Sequence, residues 1–193
     1  MKTTPPIYPQ SKGFQKQGPW ALLLLVLLMM GFTACEDEED GPKDPVSAQD
    51  REFAVQATYS NLAEIALGQL ALTQAEDESV RQFAQTMVND HTQAQDELRY
   101  LVESYDLEIP DTLNSEQQAL YEELEQLEGY AFDSAYISSQ VTAHQEAQQI
   151  FQKQIDQGDN KNIVGYASSL LPHITMHLSD ARALKEELEA EAE

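Results

Sequence analysis

Cysteine and basic residues are scarce in this 193-residue sequence. The single cysteine, Cys35, excludes an intramolecular disulfide, so stability has to come from a packed core. Only 11 Lys and Arg oppose 34 Asp and Glu, which gives a formal net charge of -23 at pH 7. Nucleic-acid binding depends on clusters of Lys and Arg that contact phosphates, and the sequence has no such cluster. We therefore expect no nucleic-acid partner.

No apolar run is long enough to cross a bilayer as a helix, which takes roughly 20 residues. The longest run, 20–30, has instead the length of the apolar segment of a signal peptide. Basic residues precede it, as they do in such peptides: Lys2, Lys12 and Lys16. The sequence therefore predicts a signal peptide over 1–34 and export across the inner membrane.

The predicted signal peptide ends in Phe32-Thr33-Ala34-Cys35. Small residues followed directly by cysteine resemble the lipobox of bacterial lipoproteins. That resemblance implies that Cys35 is acylated, becomes the first residue of the mature protein and is the chain's contact with a membrane. Each buried methylene of an acyl chain contributes ~0.8 kcal/mol to such anchoring. The alternative is an ordinary secreted protein that is cut near Ala34 and keeps a free thiol.

Residues 35–48 are predicted to be the lipidated cysteine and a disordered tether, because they are acidic, contain prolines and lack apolar periodicity. An acidic run after the lipidated cysteine resembles a surface-export signal of some Gram-negative lipoproteins. In other lineages an Asp at the second mature position, here Asp37, signals inner-membrane retention, and a plain spacer fits either case. We expect anchoring in the cell envelope, at the outer membrane, facing the periplasm or the surface. Protein partners are not indicated.

From Ser47 onward helix-forming residues dominate and β-rich runs are absent, which predicts an all-α domain over 49–190 with a short tail at 191–193. Two helical hairpins joined by a long connection are typical of a ferritin-like four-helix bundle. Ser115 to Gln118 fits a capping box, with Ser115 as the N-cap, that opens a short extra helix in that connection, and Gly129 is expected to end this helix. The four long helices are predicted at 48–75, 78–106, 131–157 and 160–190.

Each long helix carries an apolar stripe with the spacing of bundle packing, and each stripe includes one side chain that can bind a metal. These four candidates are Glu64, His91, His144 and His177. Within each hairpin they lie at similar distances from the turn, so they are expected to meet near mid-bundle. His173, one turn from His177, is an optional fifth ligand, and Gln148, one turn from His144, is expected to orient a ligand.

Neutral imidazoles combined with one carboxylate suit Zn, Fe or Cu better than Ca or Mg. The sequence therefore predicts a divalent transition metal as the cofactor, in a protein of metal handling or envelope stress protection. Two alternatives stay open. One is a non-enzymatic envelope protein whose Glu and His side chains form a structural hydrogen-bond network. The other is a metal-dependent oxidoreductase.

Several short motifs resemble a family of secreted bacterial proteins described as a domain of unknown function and labelled outer-membrane and ferritin-like. The match runs from about Asp50 to Leu188. It rests on Asp50-Arg51-Glu52-Phe53, Glu64 with Leu67-Gly68, Phe83-Ala84, Met87-Val88-Asn89-Asp90-His91, Phe132-Asp133, Tyr136, His144, Leu171-Pro172 and His177. The resemblance implies a ferritin-like bundle outside the cytoplasm with no established activity. The Glu-x-x-His motif of di-iron proteins is missing at all three stripe histidines, which favours a mononuclear site or none.

Overall fold

The computed structural model describes residues 44–192. The signal peptide, Cys35, Asp37 and the first part of the predicted tether, 35–43, lie outside these residues. Within 44–192 the chain forms five α-helices and no strand. The helices are α1 Ala48–Gln74, α2 Glu78–Glu103, α3 Ser115–Glu125, α4 Gly129–Gln157 and α5 Lys161–Glu191. None of them combines the length and apolar character needed to cross a membrane.

The four long helices pack as two hairpins, α1 with α2 and α4 with α5. Short connections at 75–77 and 158–160 make the two helices of each hairpin antiparallel neighbours. The hairpins meet through α1 against α4 and α2 against α5, and the short α3 in the long connection lies on α1 and α4. The predicted all-α bundle with a short extra helix is confirmed.

The short helix α3 differs in detail from the prediction. Asn114, not Ser115, is its N-cap, because the Asn114 side chain accepts from the backbone while Gln117 reaches back to the cap. Gly129 does not end this helix but begins α4, where its φ of 59° is a left-handed conformation that glycine adopts at low cost. The observed end of α3 differs from the predicted end because the chain turns sharply between α3 and α4.

The apolar core is divided along the bundle axis into two clusters. One contains Phe83, Phe132 and Tyr136, with the two α4 rings stacked at a centroid distance of 6.0 Å. The other contains Phe53 and Phe151, which meet edge to face at 5.0 Å. Burial of these clusters supplies the main folding energy. Between them the helices present buried polar side chains at mid-height.

Candidate metal centre

Three histidines from three helices meet in this polar layer. His91 lies on α2, His144 on α4 and His177 on α5, and their exposed fractions are 8%, 1% and 2%. Ring centroids are 5.4 to 5.8 Å apart, and one ring nitrogen of each residue lies within 4.8 Å of the others. The bundle topology therefore brings together three of the four side chains predicted from the stripes. We call this group the three-histidine centre.

A hydrogen-bond chain determines the tautomer of His91. Its Nδ1 lies 3.0 Å from Oδ1 of Asn61. The Asn61 amide cannot be reversed, because its Nδ2 donates to the Tyr166 hydroxyl, which itself donates to the Ala94 carbonyl. Since Oδ1 only accepts, Nδ1 of His91 carries the hydrogen and its Nε2 keeps a lone pair.

The other two histidines are held in the same way. Nδ1 of His144 donates to the Gln140 carbonyl at 2.9 Å, which leaves a lone pair on Nε2. Nε2 of His177 donates to an Asp90 carboxylate oxygen at 3.0 Å, which leaves a lone pair on Nδ1. Each imidazole is thus bonded to an oxygen through one nitrogen, the arrangement that orients histidines around metals.

The three lone-pair nitrogens are buried and have no hydrogen-bond partner among the described residues. They are Nε2 of His91, Nε2 of His144 and Nδ1 of His177. Removing such acceptors from water without a partner is unfavourable, and three of them close together have no donor to share. A cation that accepts three nitrogen lone pairs satisfies them all, so the donor set fits a transition metal.

Burial favours the neutral forms of His91 and His177 by lowering their pKa values. Desolvation lowers the pKa of His91 well below its ordinary 6.5, and the charged forms of His144 and His177 lower it further. Desolvation also lowers the pKa of His177, although the hydrogen bond and charge of Asp90 act in the opposite direction. Lone pairs are therefore available to a metal at neutral pH.

The fourth predicted ligand, Glu64 on α1, lies beside this group and not within it. Its Oε1 is 3.9 Å from Nδ1 of His144, the nitrogen that is bonded to the Gln140 carbonyl, and its Oε2 has no hydrogen-bond partner among the described residues. Burial raises the pKa of Glu64, and nearby His144 and Gln140 reduce that rise. The Tyr136 hydroxyl also has no hydrogen-bond partner within 44–192, and its pKa is raised well above 10.0 by burial and by the charge of Glu64.

The structure places the two remaining predicted residues elsewhere. His173 is exposed and outside the three-nitrogen group, although it lines the same cavity. Gln148 does not orient His144: its Nε2 donates to Oγ1 of Thr175 at 2.9 Å on the exposed side of the bundle. An α-helix has 3.6 residues per turn, so Gln148, four positions after His144, is rotated slightly from it about the axis of α4. Here that rotation directs Gln148 toward Thr175 on α5.

Comparison with known families shows to which protein family this chain is related. The family model described as a domain of unknown function, DUF4142, matches residues 36–184. The chain belongs to the DUF4142 family. The family resemblance predicted from the sequence is thereby confirmed at the level of a domain of unknown function. No curated protein matches the sequence.

Solved structures share the bundle of this DUF4142 chain. A DUF305 fragment from Deinococcus radiodurans is 12% identical with a TM-score of 0.65, covering 76% of this chain and 99% of that one. A DUF305 protein from Streptomyces coelicolor, described as secreted, is 13% identical with a TM-score of 0.64, covering 73% and 92%. CopM in its Cu(II)-bound form is 13% identical with a TM-score of 0.62, covering 72% and 96%. At these identities the likeness shows the fold alone.

The residues that orient the imidazoles were missed by the interpretation of the apolar stripes. Asn61 and Asp90 are short polar residues beside predicted ligands, and Gln140 acts through its backbone. Asn61 lies one turn before Glu64, and Asp90 lies directly before His91, so the sequence alone places both residues beside predicted ligands. Which nitrogen each one meets depends on the rotation of neighbouring helices.

Proposed function

We propose that the three-histidine centre binds one transition-metal ion and that this chain handles metal in the bacterial cell envelope. The proposal rests on three buried histidines from three different helices. One ring nitrogen of each lies within 4.8 Å of the others, and each ring keeps a lone-pair nitrogen that has no hydrogen-bond partner among the described residues. Zn–N bonds are about 2.0–2.1 Å, so modest inward movement of the side chains is enough to coordinate an ion. Each outward nitrogen is already bonded to an oxygen, so the rings need no new orientation.

Copper is the first ion to test and zinc the second. Imidazole sites suit both, and divalent copper binds a given nitrogen site more tightly than its first-row neighbours. The Cu(II)-bound state of CopM, a protein of the same fold, supports that order. The carboxylates of Glu64 and Asp90 stand behind His144 and His177, where they offset part of the charge of a buried cation.

We further propose that the chain acts outside the cytoplasm, held at the outer membrane by lipid on Cys35. Support comes from the sequence: a basic and apolar leader over 1–34 and a lipobox-like ending at Cys35. Fatty-acid labelling and membrane fractionation test this directly. Replacement Cys35→Ser should abolish both, and a variant that still labels and sediments with membranes would contradict the anchor.

Calorimetric titration tests the metal centre. The Cys35→Ser chain without a histidine tag is the right protein, because it removes the thiol as a competing copper ligand. We expect one equivalent of Cu(II) or Zn(II) to bind and to raise the melting temperature, since free metal at 100 times Kd adds ~2.7 kcal/mol to the free energy of unfolding.

Single replacements separate the centre from adventitious binding. His91→Ala and His177→Ala should each remove most of the metal-induced rise in melting temperature. The exposed His173→Ala is the matched control and should remove much less. If no ion binds stoichiometrically and melting is unchanged, the polar layer is a structural hydrogen-bond network and the metal proposal is rejected.

A further inference from the structure

A cavity of about 140 Å³ adjoins the three-histidine centre and is lined by all three of its imidazoles. Its lining includes exposed residues of α2 and α5, Gln93, Glu97 and His173, so it opens to the surface at these two helices. Asp90, whose side chain is 43% exposed, lies on the same path. The centre is therefore buried but connected to solvent.

Three imidazoles leave a transition metal short of ligands, because such ions take four or more. The nearest carboxylates are turned to the outside of the rings. Asp90 is bonded to Nε2 of His177, across the ring from its lone-pair nitrogen, and Glu64 lies beside the outward Nδ1 of His144. Neither belongs to the group of converging donor atoms. Among the described residues, no fourth His, Cys, Asp or Glu side chain joins the three histidines as a ligand.

Building on the metal-binding function proposed above, we propose that the ion keeps one coordination position open to this cavity. We infer that small neutral molecules reach that position between α2 and α5 more readily than anions do. The centre is then a binding site for a diatomic or similarly small neutral ligand in exchange with water.

The size of the cavity sets the size of the ligand. Water occupies about 30 Å³ in the liquid, so a cavity of about 140 Å³ admits a few waters or one small molecule and excludes most organic substrates. Part of the wall is apolar, which favours a ligand that is weakly hydrated. That part is formed by Ala94, Ala143, Ala147, Phe151, Leu170 and Ile174.

The charge of the opening determines whether charged ligands are attracted or repelled. Asp90 and Glu97 line the path, and the described residues around it include no Lys or Arg. Acidic groups at the mouth of a low-dielectric cleft focus a negative potential, which draws cations inward and repels anions. The overall charge of -23 acts in the same direction. The same path therefore favours uptake of a metal cation and, once the ion is bound, access by neutral molecules.

Two probes test the open position on the copper-loaded Cys35→Ser chain. Carbon monoxide is added to the ascorbate-reduced form and followed by its infrared stretch, and sodium azide is added to the Cu(II) form and followed by its charge-transfer absorption. We expect a one-to-one carbonyl band and weak azide binding. Glu97→Lys should tighten azide by roughly three- to tenfold while leaving carbon monoxide affinity unchanged, because only the anion responds to the mouth charge. Equal responses of both probes would overturn the charge selectivity.

A cavity-filling variant supplies the second test. Ala147→Leu adds side-chain volume to the cavity wall without replacing a histidine, so copper uptake should persist while carbon monoxide affinity falls at least tenfold. Ala94→Val serves the same purpose if the first variant fails to fold. His173→Ala, which widens the mouth, should leave carbon monoxide binding intact.

The outcomes distinguish the two proposals. Stoichiometric copper uptake without a carbonyl band in the parent chain shows that the coordination is closed, which rejects the open position and leaves the metal-binding function standing. A carbonyl band that appears only in Glu64→Gln also rejects the open position, and it identifies Glu64 as the closing ligand. Absence of copper uptake rejects both.

Discussion

His177 and Asp90 form a hydrogen bond between two helices: Nε2 of the imidazole lies 3.0 Å from a carboxylate oxygen, and the buried Nδ1 has no partner in the part of the chain that the structure describes. Asp90 thereby selects the tautomer, orients the ring and makes its free nitrogen more basic. It does so from a side chain that is 43% exposed, so it acts from the rim of the site.

Replacement Asp90→Asn should weaken metal binding without removing it. Loss of such an orienting partner typically costs about 10- to 100-fold in affinity, and we expect a decrease in this range for copper or zinc by calorimetric titration. Asp96→Asn is the control, because Asp96 is an exposed acid on the same helix that does not line the cavity. Equal losses in both variants would show that general charge, and not the bond to His177, is responsible.

Acid should destabilise the metal-free protein through His91. Its folded pKa lies well below 6.5, so the unfolded chain takes up a proton that the folded chain refuses as pH falls below about 6.5. The free energy of unfolding therefore decreases from pH 7.5 to 5.5, by at most about 1.4 kcal/mol per pH unit for one group.

Urea unfolding of His91→Gln and of the exposed control His173→Gln at these two pH values checks this. The first variant should lose less stability on acidification than the parent chain, and the second should behave like the parent. An unchanged pH dependence in His91→Gln would mean that the imidazole of the parent chain takes up protons equally in its folded and unfolded states, which contradicts a lowered folded pKa.

Glu64→Gln should stabilise the metal-free protein at pH 7.5. The folded pKa of Glu64 is raised above 4.5, so its effect on the free energy of unfolding is unfavourable once the pH exceeds that unfolded value. An amide carries no charge and can pair with the Gln140 side chain, whose nitrogen and oxygen lack partners among the described residues. We expect a gain of about 1–3 kcal/mol, shrinking toward pH 4.5. A loss of stability at pH 7.5 would show that the carboxylate is ionised and compensated.

Two helix-interior glycines should respond in opposite directions to alanine. A Cβ on Gly68 would lie 2.8 Å from a Val88 methyl and 3.2 Å from the Ala84 carbonyl, so Gly68→Ala pushes α1 away from α2 and should cost about 1–3 kcal/mol. A Cβ on Gly165 meets nothing within 4 Å, and Gly165→Ala should add about 0.5–1 kcal/mol through helix propensity. Thermal and urea unfolding measure both. Equal effects would contradict the close α1–α2 packing.

The number, approximate limits and pairing of the long helices followed from the sequence by itself. Apolar stripes with steps of three and four residues specify which face of each helix is buried, and short polar turns specify antiparallel neighbours. The same stripes singled out His91, His144 and His177, because a polar side chain at a core position stands out against its apolar neighbours. Matching heights in each hairpin placed them at one level.

Only the tertiary structure decided how those side chains face one another. The rotation of each helix about its axis puts Glu64 behind His144, turns Gln148 toward Thr175 and leaves His173 at the cavity mouth. An apolar stripe predicts the rotation of a helix only to within the width of a side chain. Which side chains become ligands depends on differences of one or two ångströms in the positions of their donor atoms. The tautomers depend on Asn61, Asp90 and a backbone carbonyl, and such cross-helix bonds leave no periodic trace in the sequence because each involves a single residue pair.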